Sequence, residues 1–494
     1  MAPSRVAPLI GSLALGALLL PGSALAGSIS APGFLAGPDS NAATPNPAAP
    51  HYNPAALGGT SGVRTMADIQ TAFIRVNATT TRNGGIDPNT GIGYKAAEAS
   101  VMVPVALIGA SWKPIDQLAF GFSVSDSFVG GGDYTKAEPD QKKPYVGHQR
   151  YAGVQTAIIQ LHMVPAVAVT PIEGLHFGGG LKIIYNTISA LQAADPLHTE
   201  GVHPDDIGGD PTARTRPYEG DTYLEGSASG MSLGWNAGIY FDKFKFARVG
   251  LSYTQNGPFK AEGEGKVTVP DYLSQTGELT EVDALVTFDQ PMPAVIQFWL
   301  NSDINDKLTL GAGFEYQMWN SCCGGPSDTL NPNGAEGGDL RIGVTDKNGK
   351  PIGPDTTDLT ISVAEEQWSP RRLMNSGNYA INGGYAVSDL IWVGARAQYS
   401  QNAVPDYAVS ATNLDYQSVG GQGAVRFRFG KDRKFTAGVS YAKFFTFDRE
   451  ITNSVWDIGN GDPRFSPETP YKANTNGTFS SKVDIAGVRL AARF

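Results

Sequence analysis

The stretch KVDIAGVRLAARF, residues 482–494, ends the chain and decides its fold. Counting back from Phe494 in steps of two gives Ala492, Leu490, Val488 and Ala486, whereas the residues between them include Arg489 and Arg493. Because successive side chains of a strand point to opposite faces, this pattern predicts a strand with one apolar and one arginine-bearing face. Such a strand with an aromatic last residue is typical of the closing strand of an outer-membrane β-barrel. An amphipathic strand of a soluble sheet would have the same alternation.

The amino-terminal end has the features of an exported protein. Arg5 precedes an apolar run over 6–20, and Ala24-Leu25-Ala26 has the A-x-A pattern of a cleavage site. Residues 1–26 are therefore predicted to be a signal peptide. No later stretch has 18 consecutive apolar residues, which excludes a helical membrane protein. Since only helices and closed barrels satisfy every backbone group in lipid, the two ends together favour a barrel.

Composition supports one large barrel domain. The 494 residues include 60 glycines, 10% aromatic and 17% charged residues, with no linker that would divide the chain. The net charge of -10 argues against nucleic-acid binding, which requires a basic surface. The two cysteines, Cys322 and Cys323, are adjacent and cannot form a disulfide framework. They could form a strained vicinal disulfide, link two chains, or remain as loop thiols.

Alternating segments predict about fourteen strands joined alternately by short turns and long connections. The predicted short turns, rich in Asp, Asn, Gly and Pro, are 113–117, 171–174, 242–245, 303–307, 387–390 and 430–434. The predicted long connections are 79–98, 130–152, 189–225, 259–281, 320–371, 402–415 and 449–479. Six turns and seven loops are what fourteen up-and-down strands need when both chain ends are periplasmic.

The second face of the predicted strands indicates a crowded interior. In the segments 232–241, 308–317 and 422–429 an apolar face alternates with Gly, Ser, Thr, Asn, Gln and a few basic residues. Fourteen strands enclose more space than their side chains fill. We expect the Gly/Pro/Ala/Asn-rich residues 27–65 to fill this space as a hatch ahead of the barrel, residues 66–494. A disordered periplasmic tail has a similar composition.

The order of several short motifs resembles the outer-membrane long-chain fatty acid and hydrophobic-compound transporter family of the FadL/TodX type. The motifs are NPAAL (53–57), GWNAGI (234–239), RVGLSY (248–253), YQMWN (316–320), YAINGGY (379–385) and AVPD (403–406). The resemblance implies an all-β, 14-stranded antiparallel transmembrane barrel whose hatch carries Asn53, Pro54 and Ala55. It also implies capture of a hydrophobic ligand and its lateral exit at a kinked third strand.

The third strand is predicted at 118–129, and Gly130, Gly131 and Gly132 follow it. Consecutive glycines weaken strand pairing and permit a bulge or kink, so these three residues are the candidate lateral gate. An ordinary entry into a loop would have the same sequence.

The chain departs from the family at positions that the resemblance connects with ligand binding. Asn186 and Asn378 stand where family members carry basic residues. A desolvated carboxylate needs a cationic partner. The candidates on the luminal face are Lys182, Arg396, Arg426, Arg428 and Arg489. Each of them could instead pair with a luminal carboxylate such as Glu315 or Asp68, and the channel would then carry neutral or aromatic hydrocarbons.

The sequence offers weaker support for three other functions. The loop 195–206 gathers two histidines and four carboxylates, but its spacing matches no metal motif and favours a solvated acidic loop. A lipid hydrolase would need a nucleophile beside a base such as His162, and the sequence fixes none. A structural or adhesin barrel would lack an ordered hatch.

The sequence therefore predicts a monomeric, multi-pass barrel of the bacterial outer membrane that takes up long-chain fatty acids or other hydrophobic compounds passively. We expect contact with membrane lipid and lipopolysaccharide, and no cofactor, metal or enzymatic activity.

Overall fold

Nineteen strand segments form one antiparallel sheet in the part of the chain that the computed structural model describes. That part comprises residues 35–80, 96–133, 153–194, 222–244, 246–269, 271, 274–319, 340–353, 357, 366–369, 373–409, 414–452 and 476–494. The strands are β1 (Gly62–Thr80), β2 (Ala96–Ile115), β3 (Leu118–Asp133), β4 (Gln155–Ile172), β5 (Leu175–Ala194), β6 (Thr222–Phe244), β7 (Ala247–Gln255), β8 (Phe259–Val269), β9 (Thr280–Gln290), β10 (Ala294–Asp303), β11 (Leu308–Met318), β12 (Leu340–Thr345), β13 (Glu366–Ser369), β14 (Ser376–Ala386), β15 (Ile391–Ser400), β16 (Ser418–Phe429), β17 (Phe435–Thr446), β18 (Arg449–Ile451) and β19 (Gly477–Arg493).

The sheet closes because β1 pairs with β2 on one side and with β19 on the other. The closed wall has the predicted fourteen strands. β8, β9 and β18 prolong β7, β10 and β17, while β12 and β13 pair beyond the wall on β9. Prolines lie at two of these interruptions, Pro258 after β7 and Pro291 and Pro293 before β10. Because proline cannot donate to a strand ladder, it breaks the strand there.

All six predicted short turns are confirmed. They connect β2 to β3, β4 to β5, β6 to β7, β10 to β11, β14 to β15 and β16 to β17. Both ends of the wall lie on the same side as these turns, since Phe494 N donates to Val63 O at 2.8 Å. Short turns face the periplasm in outer-membrane barrels, so we call this end the periplasmic end.

Two of the predicted long connections, 259–281 and 320–371, contain strands that the sequence did not predict. In β8 the side chains of Phe259, Ala261 and Val267 are buried, whereas Lys260 and Glu262 between them are exposed. Charged residues on one face made this segment look like a loop. Beyond the lipid that face meets water, so charge is compatible with a strand there. The strands β3, β5, β6, β18 and β19 likewise reach into connections predicted as loops.

The two faces of the wall differ as predicted. Large apolar side chains point outward, among them Leu233, which is 65% exposed, and Leu490, which is 61% exposed. The inward positions are mostly small or polar, as with the buried Asn236 and Gln422. An apolar outer band around a polar interior is the arrangement of a transmembrane barrel.

The residues before β1 lie inside the barrel. Residues 35–60 are almost entirely buried and contain a single-turn helix α1 (Ala49–Tyr52) and a 3-10 helix (Pro54–Gly59). β1 begins at Gly62 rather than at 66, so the wall starts slightly earlier than predicted. We call residues 35–60 the luminal segment. The predicted signal peptide, the two cysteines and the loop 195–206 lie outside the described residues. None of the helices described is long and apolar enough to cross a membrane.

Candidate functional site

Asn53 connects the luminal segment to the wall. Its side-chain amide donates to Ala42 O at 2.8 Å and to Ile239 O of β6 at 3.0 Å. Its Oδ1 accepts from Ala55 N at 3.1 Å, which caps the 3-10 helix that begins at Pro54. Asn53 is completely buried, and its side chain therefore satisfies backbone groups both of the segment and of the wall.

Two wall glycines permit the close approach of this motif. A Cβ atom on Gly178 of β5 would lie 2.3 Å from Ala55 N, and one on Gly238 of β6 would lie 2.1 Å from Asn53 Oδ1. Real Cβ atoms do not approach other atoms so closely. The backbone of the motif consequently lies directly against the backbone of β5 and β6.

The luminal segment also reaches the opposite wall. Arg426 Nη1 of β16 donates to Asp39 Oδ2 at 2.7 Å, and Arg489 Nη1 of β19 lies 3.9 Å from Asp39 Oδ1. Arg489 also donates to Ala36 O. Burial opposes ionisation of Asp39, but the guanidinium groups of Arg426 and then Arg489 outweigh it, and the pKa of Asp39 lies below its usual value. Two of the predicted ligand-binding residues thus hold the luminal segment in place.

Lys182 lies on the inner face of β5 and is only 3% exposed. Its Nζ donates to Asn256 Oδ1 at 2.9 Å. Among the described residues no carboxylate lies within ion-pair distance of Lys182. A buried ammonium group with one neutral acceptor is incompletely compensated, since it has three donors.

Two histidines lie near Lys182. His162 of β4 is buried, and neither of its ring nitrogens has a hydrogen-bond partner in the described part of the chain. His51 of the luminal segment lies 2.9 Å from Ser125 Oγ. Burial, and to a smaller extent the charge of Lys182, lowers the pKa of His51 to about 3, so this imidazole is neutral.

Arg396 of β15 lies inside the barrel beside the luminal segment. Its guanidinium carbon is 4.9 Å from the ring centroid of Trp299, a cation–π contact. Arg396, Tyr52 and Glu315 line the same narrow cavity. Arg428, in contrast, is exposed at the periplasmic mouth. The five predicted basic residues therefore occupy separate places and do not form one site.

Asn186 and Asn378, which stand where the resemblance led us to expect basic residues, belong to polar networks. Asn186 Oδ1 accepts from Gln160 at 2.7 Å, and its amide donates to Ser232 Oγ at 3.2 Å. Asn378 donates to Glu315 Oε1 at 3.2 Å. Both side chains point into the lumen.

The wall has a gap between β2 and β3. These strands pair only from the periplasmic turn up to Leu107 and Ser125. Beyond that level β2 continues in register with β1 alone, and β3 continues with β4 alone through a bulge between Asp126 and Phe128. Asp126 Oδ2 accepts from Ala106 N at 3.1 Å where the pairing ends. Above this bond, the described parts of β2 and β3 form no backbone hydrogen-bond ladder with each other.

The three candidate gate glycines lie beside this gap. Gly130, Gly131 and Gly132 belong to β3 and pair in regular register with Ile158, Ala157 and Thr156 of β4. The bulge of the third strand therefore lies before the glycines. Sequence reasoning missed Asp126 at the gap and Asp39 beneath Arg426, because a single carboxylate in a strand or loop gives no signal of its partner.

Comparisons with known proteins agree with this architecture. The model of the outer membrane protein transport protein family (OMPP1/FadL/TodX) matches residues 26–412. No curated protein sequence gives a match. A crystal structure of a Pseudomonas aeruginosa FadL homologue has 15% identity and a TM-score of 0.70, covering 96% of this chain and 100% of that chain.

Two transporter structures are similar as well. The P. putida toluene transporter TodX has 14% identity and a TM-score of 0.61, with 91% of this chain and 94% of that chain covered. The Ralstonia pickettii toluene transporter TbuX has 14% identity and a TM-score of 0.56, with 92% and 96% covered. These likenesses show the fold, and the family match, which spans most of the sequence, shows that this chain belongs to the outer-membrane FadL/TodX transport family.

Proposed function

We propose that this channel takes up long-chain fatty acids and that Lys182 binds their carboxylate inside the barrel. Members of the family are outer-membrane transport channels for hydrophobic compounds and are not enzymes. The hydrolase considered from the sequence is therefore not supported. The class of ligand is the further step, and the surroundings of Lys182 support it.

The charge of Lys182 favours an anionic ligand. Lys182 is buried and its Nζ has one neutral acceptor in the described part of the chain, so it keeps donors for an anionic ligand in the lumen. A carboxylate that leaves water needs such a partner, and the resulting charge-assisted hydrogen bond is worth about 1.5–3 kcal/mol. The buried His162 of the neighbouring strand β4, whose ring nitrogens have no partner in the described part of the chain, can add one N–H donor.

The other four basic residues support a carboxylate site less well. Arg426 and Arg489 are bound to Asp39, and Arg396 packs on Trp299. Arg428 is exposed to solvent and would gain little from an ion pair.

The ligand would leave through the gap between β2 and β3, for which Gly130–Gly132 remain the proposed gate. Unpaired strand edges are costly in lipid unless something covers them. A passing acyl chain would gain roughly 0.8 kcal/mol for each methylene that moves from water into an apolar surrounding. The concentration gradient of the ligand then suffices to drive uptake. The predicted monomer and contact with lipopolysaccharide stay predictions.

The substitution Lys182→Met tests the carboxylate site. Because the side chain keeps its length and loses its charge, oleate should bind about tenfold to a hundredfold more weakly, the equivalent of one charge-assisted hydrogen bond. Methyl oleate, which has no charge, should bind equally well to both forms. Equilibrium binding to purified protein in detergent measures both ligands. Lys260→Met serves as the matched control, since Lys260 lies on the exposed face of β8.

Two outcomes would contradict the proposal. If wild-type protein binds oleate, methyl oleate and toluene equally well, the channel carries neutral hydrocarbons, the class named for the toluene transporters it resembles. If Lys260→Met weakens oleate binding as much as Lys182→Met does, the effect comes from overall charge and Lys182 has no special role.

A further inference from the structure

The periplasmic mouth of the barrel holds a cavity of about 290 Å³ whose lining is strongly basic. Besides Arg426 and Arg489, five cationic side chains line it, namely Arg64, Arg428, Arg433, Lys434 and Arg493. Asp39 is the acidic residue of the lining, and Arg426 and Arg489 already neutralise it. The cavity therefore carries a net positive charge.

Not all of these cations form an ion pair with another described residue of the protein. Arg433 pairs with Asp389 at 2.8 Å, Arg64 donates to Ser61 Oγ at 2.7 Å, and Arg493 donates to Asp432 O at 3.0 Å. For Arg428 and Lys434 no carboxylate of the described chain lies within ion-pair distance, and both side chains are exposed. A nearby anion is Asp432 in the adjacent turn.

We propose that this cavity is an oxyanion-binding site that takes the phosphate of an anionic lipid headgroup at the periplasmic leaflet. Guanidinium groups match phosphate and carboxylate oxygens in a bidentate geometry, and several are available here without breaking the Asp39 contacts. The site is independent of the ligand that the channel transports, since it lies at the mouth below the luminal segment.

An apolar groove on the outside of the same strands favours a lipid as the source of the phosphate. The groove has a volume of about 480 Å³ and is lined by apolar residues such as Phe122, Phe429, Phe435 and Leu490. Thr65, Thr436, Ala491 and Ala492 line both the groove and the basic cavity. An acyl chain in the groove would therefore bring its headgroup to the strand ends next to the cations.

The double substitution Arg428→Gln with Lys434→Gln tests the site and leaves the Asp39 contacts intact. Full-length protein in detergent is titrated with dihexanoyl phosphatidylglycerol, with inorganic phosphate and with zwitterionic dihexanoyl phosphatidylcholine, at low and at high salt. We expect wild-type protein to bind the phosphatidylglycerol in preference to the phosphatidylcholine, and the double variant to bind it about threefold to tenfold more weakly, the loss expected for two exposed ion pairs. High salt should reduce the difference, because both side chains are exposed.

The matched control is Lys243→Gln with Lys307→Gln, which removes two exposed lysines from other turns of the same rim. It should bind phosphatidylglycerol as wild-type protein does. If wild-type protein also binds inorganic phosphate, and the Arg428→Gln/Lys434→Gln variant binds it correspondingly more weakly, the result would support the site and show that it accepts free oxyanions as well. Equal losses in both double variants, or equal binding of the two lipids by wild-type protein, would overturn the proposal.

Discussion

At the scale of single residues, the Asn53 motif depends on the absence of side chains opposite it. Asn53 makes three hydrogen bonds in a fully buried position, and these need the segment to approach β5 and β6 closely. Gly178 and Gly238 allow that approach. The next glycine along β5, Gly179, has no such role, because a Cβ there would find its closest neighbour at 3.8 Å.

Gly178→Ala should therefore loosen the luminal segment, whereas Gly179→Ala should not. The new methyl group at 178 would overlap Ala55 N and displace the motif, at a cost of about 1–3 kcal/mol that is typical of overpacking. Ion conductance of single channels in planar bilayers reports whether the segment still fills the lumen. We expect higher or fluctuating conductance for Gly178→Ala alone. The same conductance in both variants would show that the close approach does not matter.

The sequence predicted which residues face the lumen but not their partners. Strand periodicity placed Lys182 and Arg426 on the inner face, since the side chains of a strand alternate strictly. It could not distinguish the uncompensated Lys182 from Arg426, whose partner Asp39 lies hundreds of residues away in an irregular segment. Local patterns hold no information about such contacts, whereas the contiguous Asn53-Pro54-Ala55 motif could be found from the sequence.

At the scale of strands, residues of both β2 and β3 shape the gap between these two strands. Ala106 N points towards β3, where Asp126 accepts its hydrogen. Alternate residues of an antiparallel strand point their N–H groups to the same side, so the nitrogen of Pro104 faces the gap as well. Proline has no N–H to leave unpaired there. Pro104 therefore removes the first donor that β2 would leave unpaired above Ala106.

Gly130→Trp should slow uptake without weakening equilibrium binding inside the barrel. Gly130 is buried beside the gap, and an indole there would narrow the exit while leaving Lys182 untouched. Gly131→Trp is the matched control, because alternate residues of β3 face opposite sides. Uptake of a radiolabelled fatty acid by cells gives the rate, and binding to purified protein gives the affinity. Unchanged uptake in Gly130→Trp would place the exit elsewhere.

The same periodicity explains which strands could be predicted. The fourteen wall strands followed from alternation, since each has one apolar face towards lipid, and the six turns followed from their Asp, Asn, Gly and Pro residues. β8 was not predicted as a strand because its outward residues, such as Lys260, Glu262 and Glu264, are charged. Its inward residues nevertheless alternate with these charged residues. The two-residue period of a strand was therefore present in the sequence, but the apolar outer face expected of a lipid-facing strand was not.

At the scale of the whole molecule, the luminal segment is tied to strands around most of the wall. Asn236 of β6 donates to Pro50 O at 2.8 Å, Ser252 of β7 to Tyr52 O at 2.8 Å, and Asn382 of β14 to Pro38 O at 3.2 Å. β16 and β19 hold its other end through Asp39. We propose that the segment acts as the hatch that the sequence suggested, because so many anchors make free movement of the whole segment costly.

Deletion of residues 27–60 should leave an inserted barrel whose conductance rises sharply. The wall strands pair with one another and close through β1 and β19 without help from the segment, so the barrel should persist. Fourteen strands enclose more space than their own side chains fill, and removal of the segment should open an aqueous path. Single-channel recordings measure the conductance, and heat-modifiable migration on a gel confirms the folded barrel. Deletion of 27–34 alone is the control, because it keeps the contacts of Ala36, Asp39 and Asn53 with the wall, and its conductance should stay low. A folded barrel that lacks 27–60 and conducts no better than wild-type protein would show that the hatch does not close the lumen.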